Sequence, residues 1–489
     1  MVDSYFFVRM APMRKTKIIA TLGPATDSPD TMREMLLAGV DVARFNFSHG
    51  SHDEIRERLA MFRTLCGELG LNVAALADTK GPEVRLGVFE GGGADLVSGE
   101  EFRLTTESCV GNAEKAQVSY KGLVRDVSAG DRILLDDGLI DLEVKKTMDR
   151  EILTRVMHGG RISNRKGVNV PSVRLNLPFI SSADRADLRF IAEMGFDYIA
   201  ASFTRSAGDV YELRDALRPL KASEIQIIAK IENEEGVTNL DAIIAASDGL
   251  MVARGDLGVE LPLEDIPALQ KQMIRMGAQS GKTVITATQM LESMIHNPRP
   301  TRAEVSDVAN AIYDGTGGIM LSGETASGKY PVEAVKLMAG VAMHTERSID
   351  YKEQFRRGIS KESLNTVNAI SHAAVMTAHD LDAAAILTVT LSGATALNVA
   401  KFRPACPIIA CATDPAIVRR LNLIWGTQPF LMEEQHETGM LFKLAAELSA
   451  KEAGLSKGDL VVIVAGVPLA SVGTTNMIKV HEIGEDAVF

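Results

Sequence analysis

The feature that most constrains this chain is a repeated unit, a short apolar run rich in Val, Ile and Ala followed by a stretch with helical spacing. Continuous runs of this length suit strands that are buried on both faces of a parallel sheet. Leu263–Ser280 is typical of the intervening stretches, because its apolar residues recur with a helical period. Eight runs form one series: Lys17–Gly23, Val40–Phe47, Val73–Thr79, Tyr198–Phe203, Gln226–Glu232, Gly249–Ala253, Thr283–Thr288 and Gly318–Ser322. The series predicts an α/β fold based on a (β/α)8 TIM barrel, with the functional site at the carboxyl ends of its strands.

The alternation of apolar runs and helical stretches is interrupted between Thr79 and Tyr198. Here short alternating strands, such as Arg132–Leu135 and Ile140–Val144, are separated by glycine-rich turn signals. We interpret residues 83–179 as an all-β domain inserted after the third strand. Because an insertion at that end of a barrel overhangs the site, we regard it as a lid. The alternative is an insertion with no role in the chemistry.

A second series of apolar runs begins after about Tyr351. Its runs are Ala384–Thr390, Pro407–Thr413, Pro429–Met432 and Leu460–Val467, with helical patterns over Asn365–His379 and Ala394–Lys401. This pattern predicts a separate open α/β domain over residues 350–489. The barrel is then expected to comprise residues 14–82 and 180–349, and residues 1–13 an N-terminal extension.

Composition excludes several classes of function. The 489 residues are 46% hydrophobic and 24% charged, as in a globular protein. A formal net charge of −12 argues against a nucleic-acid partner, since phosphate contacts need Lys and Arg, but it does not exclude small anions. The four cysteines form no CxxC pair, which indicates free thiols in a reducing cytoplasm. No apolar run approaches the roughly 18 residues that span a bilayer, so no membrane partner is expected.

Polar side chains are concentrated where the predicted strands end. Five strand ends carry them: Arg44–Gly50, Asp78–Arg85, Lys230–Asn233, Arg254–Gly258 and Thr288-Gln289. Lys230 and Glu232 are two residues apart, so they face the same side of a strand. Glu232 and Asp256, beside Lys and Arg, predict a Mg²⁺ site with an anion cradle. The alternative is a layer of salt bridges at the barrel rim.

These strand-end residues resemble those of the pyruvate kinase family. The similar stretches are Arg44–Gly50, Asp78–Arg85, Lys230–Asn233, Ala253–Gly258, Thr286–Met294, Pro300–Glu304 and Met320–Ala326. They occur in the family's order, and the resemblance runs from about Lys15 to the C-terminus. It implies transfer of the phosphoryl group of phosphoenolpyruvate to ADP, which gives pyruvate and ATP, as in the final step of glycolysis.

The resemblance also implies roles for residues at the substrate. Arg44 contacts the transferred phosphate, and Lys230 stabilises its negative charge in the transition state. Glu232 and Asp256 ligate Mg²⁺ or Mn²⁺. Gly255, Asp256 and Thr288 hold the substrate, partly through backbone N–H groups. Thr288 is then expected to relay a proton to the enolate through water, because an unperturbed hydroxyl is a weak acid.

A second set of implied roles concerns K⁺ and the nucleotide. The residues that resemble the family's K⁺ ligands are Asn46, Ser48, Asp78 and Thr79. Those that resemble its nucleotide contacts are Asn46, His49, Arg85 and Lys166. Glu83 occupies the position where the family's Glu accompanies dependence on a monovalent cation, which predicts activation by K⁺. The cations Arg44, Lys80, Arg85, Lys166, Lys230 and Arg254 are expected to gather at the barrel mouth and lid.

In the last domain the resemblance implies an effector site and subunit contacts. Its loop would use Thr390, Ser392, Gly393 and Thr395 to hold a phosphorylated small molecule, with Gly473–Asn476 and Lys479 as the opposite wall. Many family members carry a basic residue where this chain has Ala394, which argues against fructose bisphosphate as the effector but not against a phosphate-binding loop. The alternative for this loop is an ordinary βα turn with no ligand. The family is usually a homotetramer. Two other functions remain: another Mg²⁺-dependent barrel enzyme acting on phosphoenolpyruvate or pyruvate, such as a lyase or mutase, and a silent regulatory paralogue.

Overall fold

The first part of the chain forms three strands of a barrel, with helices between them. The computed structural model describes residues 13–48, 50–357, 365–435, 437–467 and 475–485. The strands are β1 (Lys17–Leu22), β2 (Val42–Asn46) and β3 (Ala74–Asp78), and the helices between them are α1 (Pro29–Leu37) and α2 (His52–Leu69). Each strand begins or ends one or two residues inside its predicted run.

An inserted β-rich unit follows β3. It consists of β4 (Gly93–Leu96), β5 (Glu101–Thr105), β6 (Lys115–Gln117), α3 (Leu123–Asp126), β7 (Arg132–Leu135), β8 (Ile140–Thr147), β9 (Glu151–His158), β10 (Gly160–Ser163) and β11 (Val168–Asn169). Six strands pair in the order β11-β7-β8-β9-β5-β6, and β10 pairs with β4. The unit has its own apolar core around Phe102, Leu142 and Ile152.

Five further strands complete the barrel. These are β12 (Tyr198–Ala201), β13 (Gln226–Ile231), β14 (Gly249–Ala253), β15 (Thr283–Ala287) and β16 (Gly318–Leu321). Their helices are α4 (Ser182–Glu193), α5 (Ala207–Leu217), α6 (Glu234–Thr238), α7 (Leu240–Ala246), α8 (Arg254–Glu260), α9 (Ile266–Gln279), α10 (Arg302–Tyr313), α11 (Gly323–Ala326) and α12 (Pro331–Arg347). All neighbours are parallel, and β1 pairs with both β2 and β16, so the predicted eight-stranded barrel is confirmed.

Side-chain alternation divides the barrel into two apolar layers. On β13, Ile227, Ala229 and Ile231 pack in the layer between strands and helices, whereas Ile228 packs in the barrel interior. Because side chains alternate along a strand, Lys230 also faces inward, one step closer to the carboxyl end. The same reasoning directs Arg44 of β2 inward. The polar residues predicted from the strand ends therefore project into the barrel mouth.

The last part of the chain is an open α/β sheet, as predicted. It contains α13 (Tyr351–Arg357), α14 (Thr366–Asp380), β17 (Ala385–Val389), α15 (Ala394–Ala400), β18 (Ile408–Ala412), α16 (Pro415–Leu421), β19 (Thr427–Leu431), α17 (Thr438–Ala453), β20 (Leu460–Ala465) and β21 (Met477–Glu482). The strand order is β19-β18-β17-β20-β21, and only β21 is antiparallel among these described strands. No helix within the described ranges is long and apolar enough to cross a bilayer.

This C-terminal unit contacts the barrel at the amino ends of its strands. Lys17 of β1 donates to the Thr427 carbonyl over 2.7 Å, and the Asn422 amide donates to the Asp41 carbonyl, just before β2. Arg419 forms an ion pair of 2.9 Å with Asp197, just before β12. The opposite end of the barrel, where the polar residues collect, remains available to the inserted unit.

Candidate active site

Arg44 and Asp78 form a buried ion pair at the ends of β2 and β3. The Nε–Oδ2 distance is 2.6 Å, and Arg44 Nη1 also donates to the Thr21 hydroxyl over 2.9 Å. Burial alone would raise the pKa of Asp78, but the charges of Arg44 and Lys230 hold it below its ordinary value. Asp78 therefore stays ionised and fixes the orientation of two cations.

Lys230 is the centre of the polar cluster. Its Nζ lies 2.9 Å from Glu232 Oε1 and 3.1 Å from Asp78 Oδ1. Burial tends to lower the pKa of Lys230, but the carboxylates of Asp78, Glu232 and Asp256 outweigh it and raise this pKa above its ordinary value. The ammonium group is therefore a permanent positive charge at neutral pH, held at the end of β13.

Glu232 and Asp256 bring two carboxyl groups together beside that ammonium. Burial raises the pKa of each, the Lys230 charge opposes this, and Asp256 raises the pKa of Glu232 further. A bound cation would relieve the cost of ionising both groups. No cluster of three or more His, Cys, Asp or Glu side chains suited to a metal occurs in the described part of the chain. A pair of carboxylates nevertheless fits Mg²⁺, which takes one or two from a protein and completes its shell with water and substrate oxygens.

Sequence reasoning missed the end of β12. Ser202 Oγ donates to Asp78 Oδ1 over 3.0 Å and accepts from Lys230 Nζ over 2.8 Å. The Phe203 N–H donates to Glu232 Oε2 over 2.6 Å, and Phe203 has a left-handed φ of 55°. These residues are the last two of the fourth predicted run, Tyr198–Phe203, so a search for polar groups at the end of that strand would have found Ser202.

Thr288 and Gly255 are joined by a direct hydrogen bond. The Gly255 N–H donates to Thr288 Oγ1 over 2.8 Å, and that hydroxyl donates to the Ala287 carbonyl over 2.6 Å. Thr288 has a φ of 64°, a strained conformation for a β-branched residue. Arg254, which begins α8, helps to hold it by donating to the Thr288 carbonyl over 2.6 Å and pairing with Asp307.

The four residues that resemble K⁺ ligands lie on two neighbouring strand ends. Asn46 and Asp78 are directly opposite each other in the register of β2 and β3. Asn46 Oδ1 accepts from the Ser48 N–H over 3.0 Å, and Thr79 Oγ1 accepts from the Ser202 N–H over 3.2 Å. His49, expected at the nucleotide, lies outside the described residues.

The inserted unit and the barrel share one cleft of about 720 Å³. Its lining includes Arg44, Lys230, Glu232 and Asp256 from the barrel, and Arg85, Asp136 and Lys166 from the chain that leads into and through the insertion. Lys166 Nζ lies 2.8 Å from Asp136, and Arg85 lies 2.6 Å from Glu83. Of the six cations expected there, Lys80 and Arg254 are not among the lining residues; Lys80 pairs with Asp187 and Arg254 with Asp307.

The loop expected to bind an effector has a compact turn. Thr390 Oγ1 accepts from the Gly393 N–H over 2.9 Å, and Gly393 adopts a φ of 89° just before α15. Thr395 lies 3.1 Å, hydroxyl to hydroxyl, from Thr475. Ser392 is exposed. Gly473 and Thr474 of the opposite wall lie outside the described residues.

Comparison with known proteins identifies the family on both sides of residue 350. The model of the pyruvate kinase barrel domain matches residues 13–335, and that of the pyruvate kinase alpha/beta domain matches residues 368–481. A pyruvate kinase from Geobacillus stearothermophilus is 49% identical over 96% of this chain and 81% of its own length. One from Bacillus licheniformis is 47% identical over 97% of this chain and 81% of its own length.

A solved structure shows the same fold. The crystal structure of a pyruvate kinase from Cryptosporidium parvum superposes with a TM-score of 0.90 at 37% identity, covering 99% of this chain and 98% of the other. The two family models, the relatives and this fold agree with the polar cluster at the barrel mouth. The chain therefore belongs to the pyruvate kinase family of phosphotransferases.

Proposed function

We propose that the cleft transfers the phosphoryl group of phosphoenolpyruvate to ADP, with the residues named above in distinct roles. The observation that carries this proposal is the convergence of Arg44 and the permanently charged Lys230 beside the Glu232–Asp256 pair, facing Arg85 and Lys166 in one cleft. Phosphoryl transfer requires positioning and neutralised charge more than covalent help from the protein. This cluster supplies both in a buried setting.

Arg44 and Lys230 act on the transferred group. Asp78 anchors both side chains, so their positive charges are oriented before the substrate arrives. A charge that needs no reorganisation during the reaction stabilises a transition state effectively. Glu232 and Asp256 would hold Mg²⁺ or Mn²⁺. When bound, this ion supplies positive charge to the oxygens of the substrate.

Asn46, Ser48, Asp78 and Thr79 are proposed to hold K⁺. Amide, hydroxyl and carboxylate oxygens of these four residues lie on adjacent strand ends, close to Arg44. Glu83 lines the same cleft as Asn46, Ser48 and Asp78 and adds a negative charge there, which Arg85 partly neutralises. The proposed site predicts that activity depends on K⁺.

Asn46, Arg85 and Lys166 are proposed to contact the nucleotide, with His49 as a fourth contact. The Lys166–Asp136 ion pair must exchange for a contact with phosphate when ADP binds. We expect Lys166→Met to raise the KM for ADP about tenfold, the effect of losing about 1.4 kcal/mol, with a much smaller change in the KM for phosphoenolpyruvate. Equal changes in both constants would contradict this assignment.

Loss of the phosphoryl group leaves an enolate, whose carbon takes up a proton to give pyruvate. We propose that Thr288 relays this proton through water, since its own hydroxyl is engaged with Ala287 and Gly255. Thr288→Ala should slow enolate protonation more than phosphoryl transfer. An equal loss in both partial reactions would count against the relay.

One assay tests the overall proposal. A lactate-dehydrogenase-coupled measurement with phosphoenolpyruvate, ADP, Mg²⁺ and K⁺ should show pyruvate formation that stops when ADP is omitted. Consumption of phosphoenolpyruvate without any ADP-dependent formation of pyruvate would favour the lyase or mutase alternative. No turnover at all would favour a silent paralogue, although Lys230, Glu232 and Asp256 are all present and in contact.

The remaining proposals concern regulation and assembly. We propose that Thr390, Ser392, Gly393 and Thr395 hold the phosphate of a small effector, that the chain forms a homotetramer, and that it works in the cytoplasm, where its free cysteines stay reduced. Saturation curves with a panel of sugar phosphates and nucleotides test the first. Light scattering at several protein concentrations tests the second.

A further inference from the structure

Asp187 of α4 is a buried carboxylate outside the roles proposed above. Only 3% of the residue is exposed, and each of its two oxygens has a different partner. Oδ1 lies 2.7 Å from His52 Nε2, and Oδ2 lies 2.9 Å from Lys80 Nζ. The side chain thus bridges two segments that come from different parts of the sequence.

These two segments are the ones that carry the proposed K⁺ ligands. His52 begins α2, four residues after Ser48, and Lys80 directly follows Thr79. The His52 ring is also held by stacking on Phe190, one turn along α4, with ring centroids 4.3 Å apart. Asp187 and its helix therefore hold both loops in addition to the backbone bond that joins them, in which the Phe47 N–H donates to the Asp78 carbonyl over 3.0 Å.

We propose that Asp187 is a positioning residue for the monovalent cation. This inference rests on the proposed K⁺ site. A site built from oxygens on two loops binds a cation well only when the spacing of those loops is fixed before binding. Hydrogen bonds to a charged carboxylate are stronger than neutral ones, so a bridge through Asp187 is suited to fixing that spacing. Asp187 acts on the cation through His52 and Lys80, and it need not touch the cation itself.

The test is the K⁺ concentration that gives half-maximal activity, measured at saturating phosphoenolpyruvate, ADP and Mg²⁺. In Asp187→Asn we expect this concentration to rise about tenfold, the factor that corresponds to 1.4 kcal/mol. The turnover at saturating K⁺ should stay close to that of the unmodified chain. A general loss of structure would instead lower the turnover at every K⁺ concentration.

Two further variants separate positioning from folding. Asp184→Asn changes a second buried carboxylate of α4, which accepts from Ser181 at the start of the helix, and it should leave K⁺ activation unchanged. Lys80→Met removes one arm of the bridge through a partly exposed side chain, so it tests the same idea if Asp187→Asn does not fold. Lys80→Arg should restore most of the affinity for K⁺.

The outcomes distinguish this inference from the function on which it rests. Full activity of the unmodified chain without monovalent cations would overturn the K⁺ site and this inference together. An unmodified chain that needs K⁺, with no change of the half-activating concentration in Asp187→Asn or Lys80→Met, would overturn the inference alone. An equal increase in Asp184→Asn would also overturn it, because general damage to α4 would then explain the effect.

Discussion

At the scale of single residues, the cleft keeps its cations charged by surrounding them with carboxylates. Lys230 and Arg44 share Asp78, and Lys230 also contacts Glu232. A buried charge is stable only when partners replace the water that it has lost. The arrangement therefore holds two positive charges in fixed positions, where we propose that the phosphoryl group is transferred.

Removing the Lys230 charge should reduce turnover directly. We expect Lys230→Met to lower kcat by roughly 10²–10³, the usual effect of deleting one electrostatic stabiliser of a transition state. Steady-state kinetics measure it. Lys282→Met is the matched control, since Lys282 is a partly buried lysine that bonds the Ser247 carbonyl near the start of β15, away from the cleft. A similar loss of activity in both variants would contradict the assigned role.

The carboxyl pair predicts a pH dependence of stabilisation by Mg²⁺. Burial raises the pKa of Glu232 and of Asp256 above their ordinary values of 4.5 and 3.8. Such groups bind protons more tightly in the folded chain, so their contribution to stability is present at low pH and is lost as the pH rises above those ordinary values. Mg²⁺ binds the ionised pair and opposes this loss.

Mg²⁺ should therefore raise the melting temperature more at pH 8 than at pH 5. Differential scanning calorimetry with and without the ion measures the difference. In Glu232→Gln the difference between the two pH values should shrink, because one ionisable ligand is gone. An equal stabilisation at both pH values in the unmodified chain would contradict the proposed ligands.

At the scale of elements, the sequence allowed the order and type of the strands to be predicted, because each barrel strand is a continuous apolar run. The polar residues at five strand ends followed from the same rule, whereas Ser202 gave a weak signal because it is a single uncharged residue within the predicted run Tyr198–Phe203. The left-handed φ of Thr288 and the ion pair of Lys166 with Asp136 could not be predicted. They depend on packing between segments far apart in the sequence, which periodicity does not encode.

Gly81 is the point where the chain leaves β3 for the inserted unit. Its φ is 68°, and a Cβ there would lie 2.7 Å from the Ser202 carbonyl oxygen. Gly81→Ala should lower the free energy of unfolding by more than the roughly 1–2 kcal/mol that a left-handed φ alone costs. It should also lower kcat, since Ser202 contacts Lys230.

Gly70→Ala is the control for that change. Gly70 has nearly the same φ, 63°, but nothing lies within 4 Å of its Cβ position. Urea denaturation of the two variants separates the cost of the left-handed backbone conformation from the cost of the steric clash with Ser202. If Gly81→Ala and Gly70→Ala were equally stable and equally active, close packing of Gly81 on Ser202 would have no functional importance.

At the scale of the whole molecule, the two ends of the barrel contact different units of the chain. The inserted unit shares the cleft at the carboxyl ends of the strands, and the C-terminal unit contacts the amino ends. Within a single chain, an effector bound near Thr390 would therefore act on the cleft from the opposite end of the barrel. The negative charge of the whole chain does not oppose binding of anionic substrates, because the cations that line the cleft act locally.

Leu423 connects the two units through an apolar contact. It is buried in the same cluster as the barrel-interior residues Ile19, Val42, Ile228 and Met320, although it belongs to the C-terminal unit. Leu423→Ala would leave a cavity at the amino ends of the barrel strands, and such changes lower the free energy of unfolding by about 2–5 kcal/mol. We expect a clear fall in the melting temperature, while kcat and KM at 25 °C stay unchanged because the cleft lies at the other end. Leu431→Ala, at a residue that is 50% exposed, should leave the melting temperature nearly unchanged. Equal melting temperatures for the two variants would show that the contact of Leu423 with the barrel interior does not stabilise the junction of the two units.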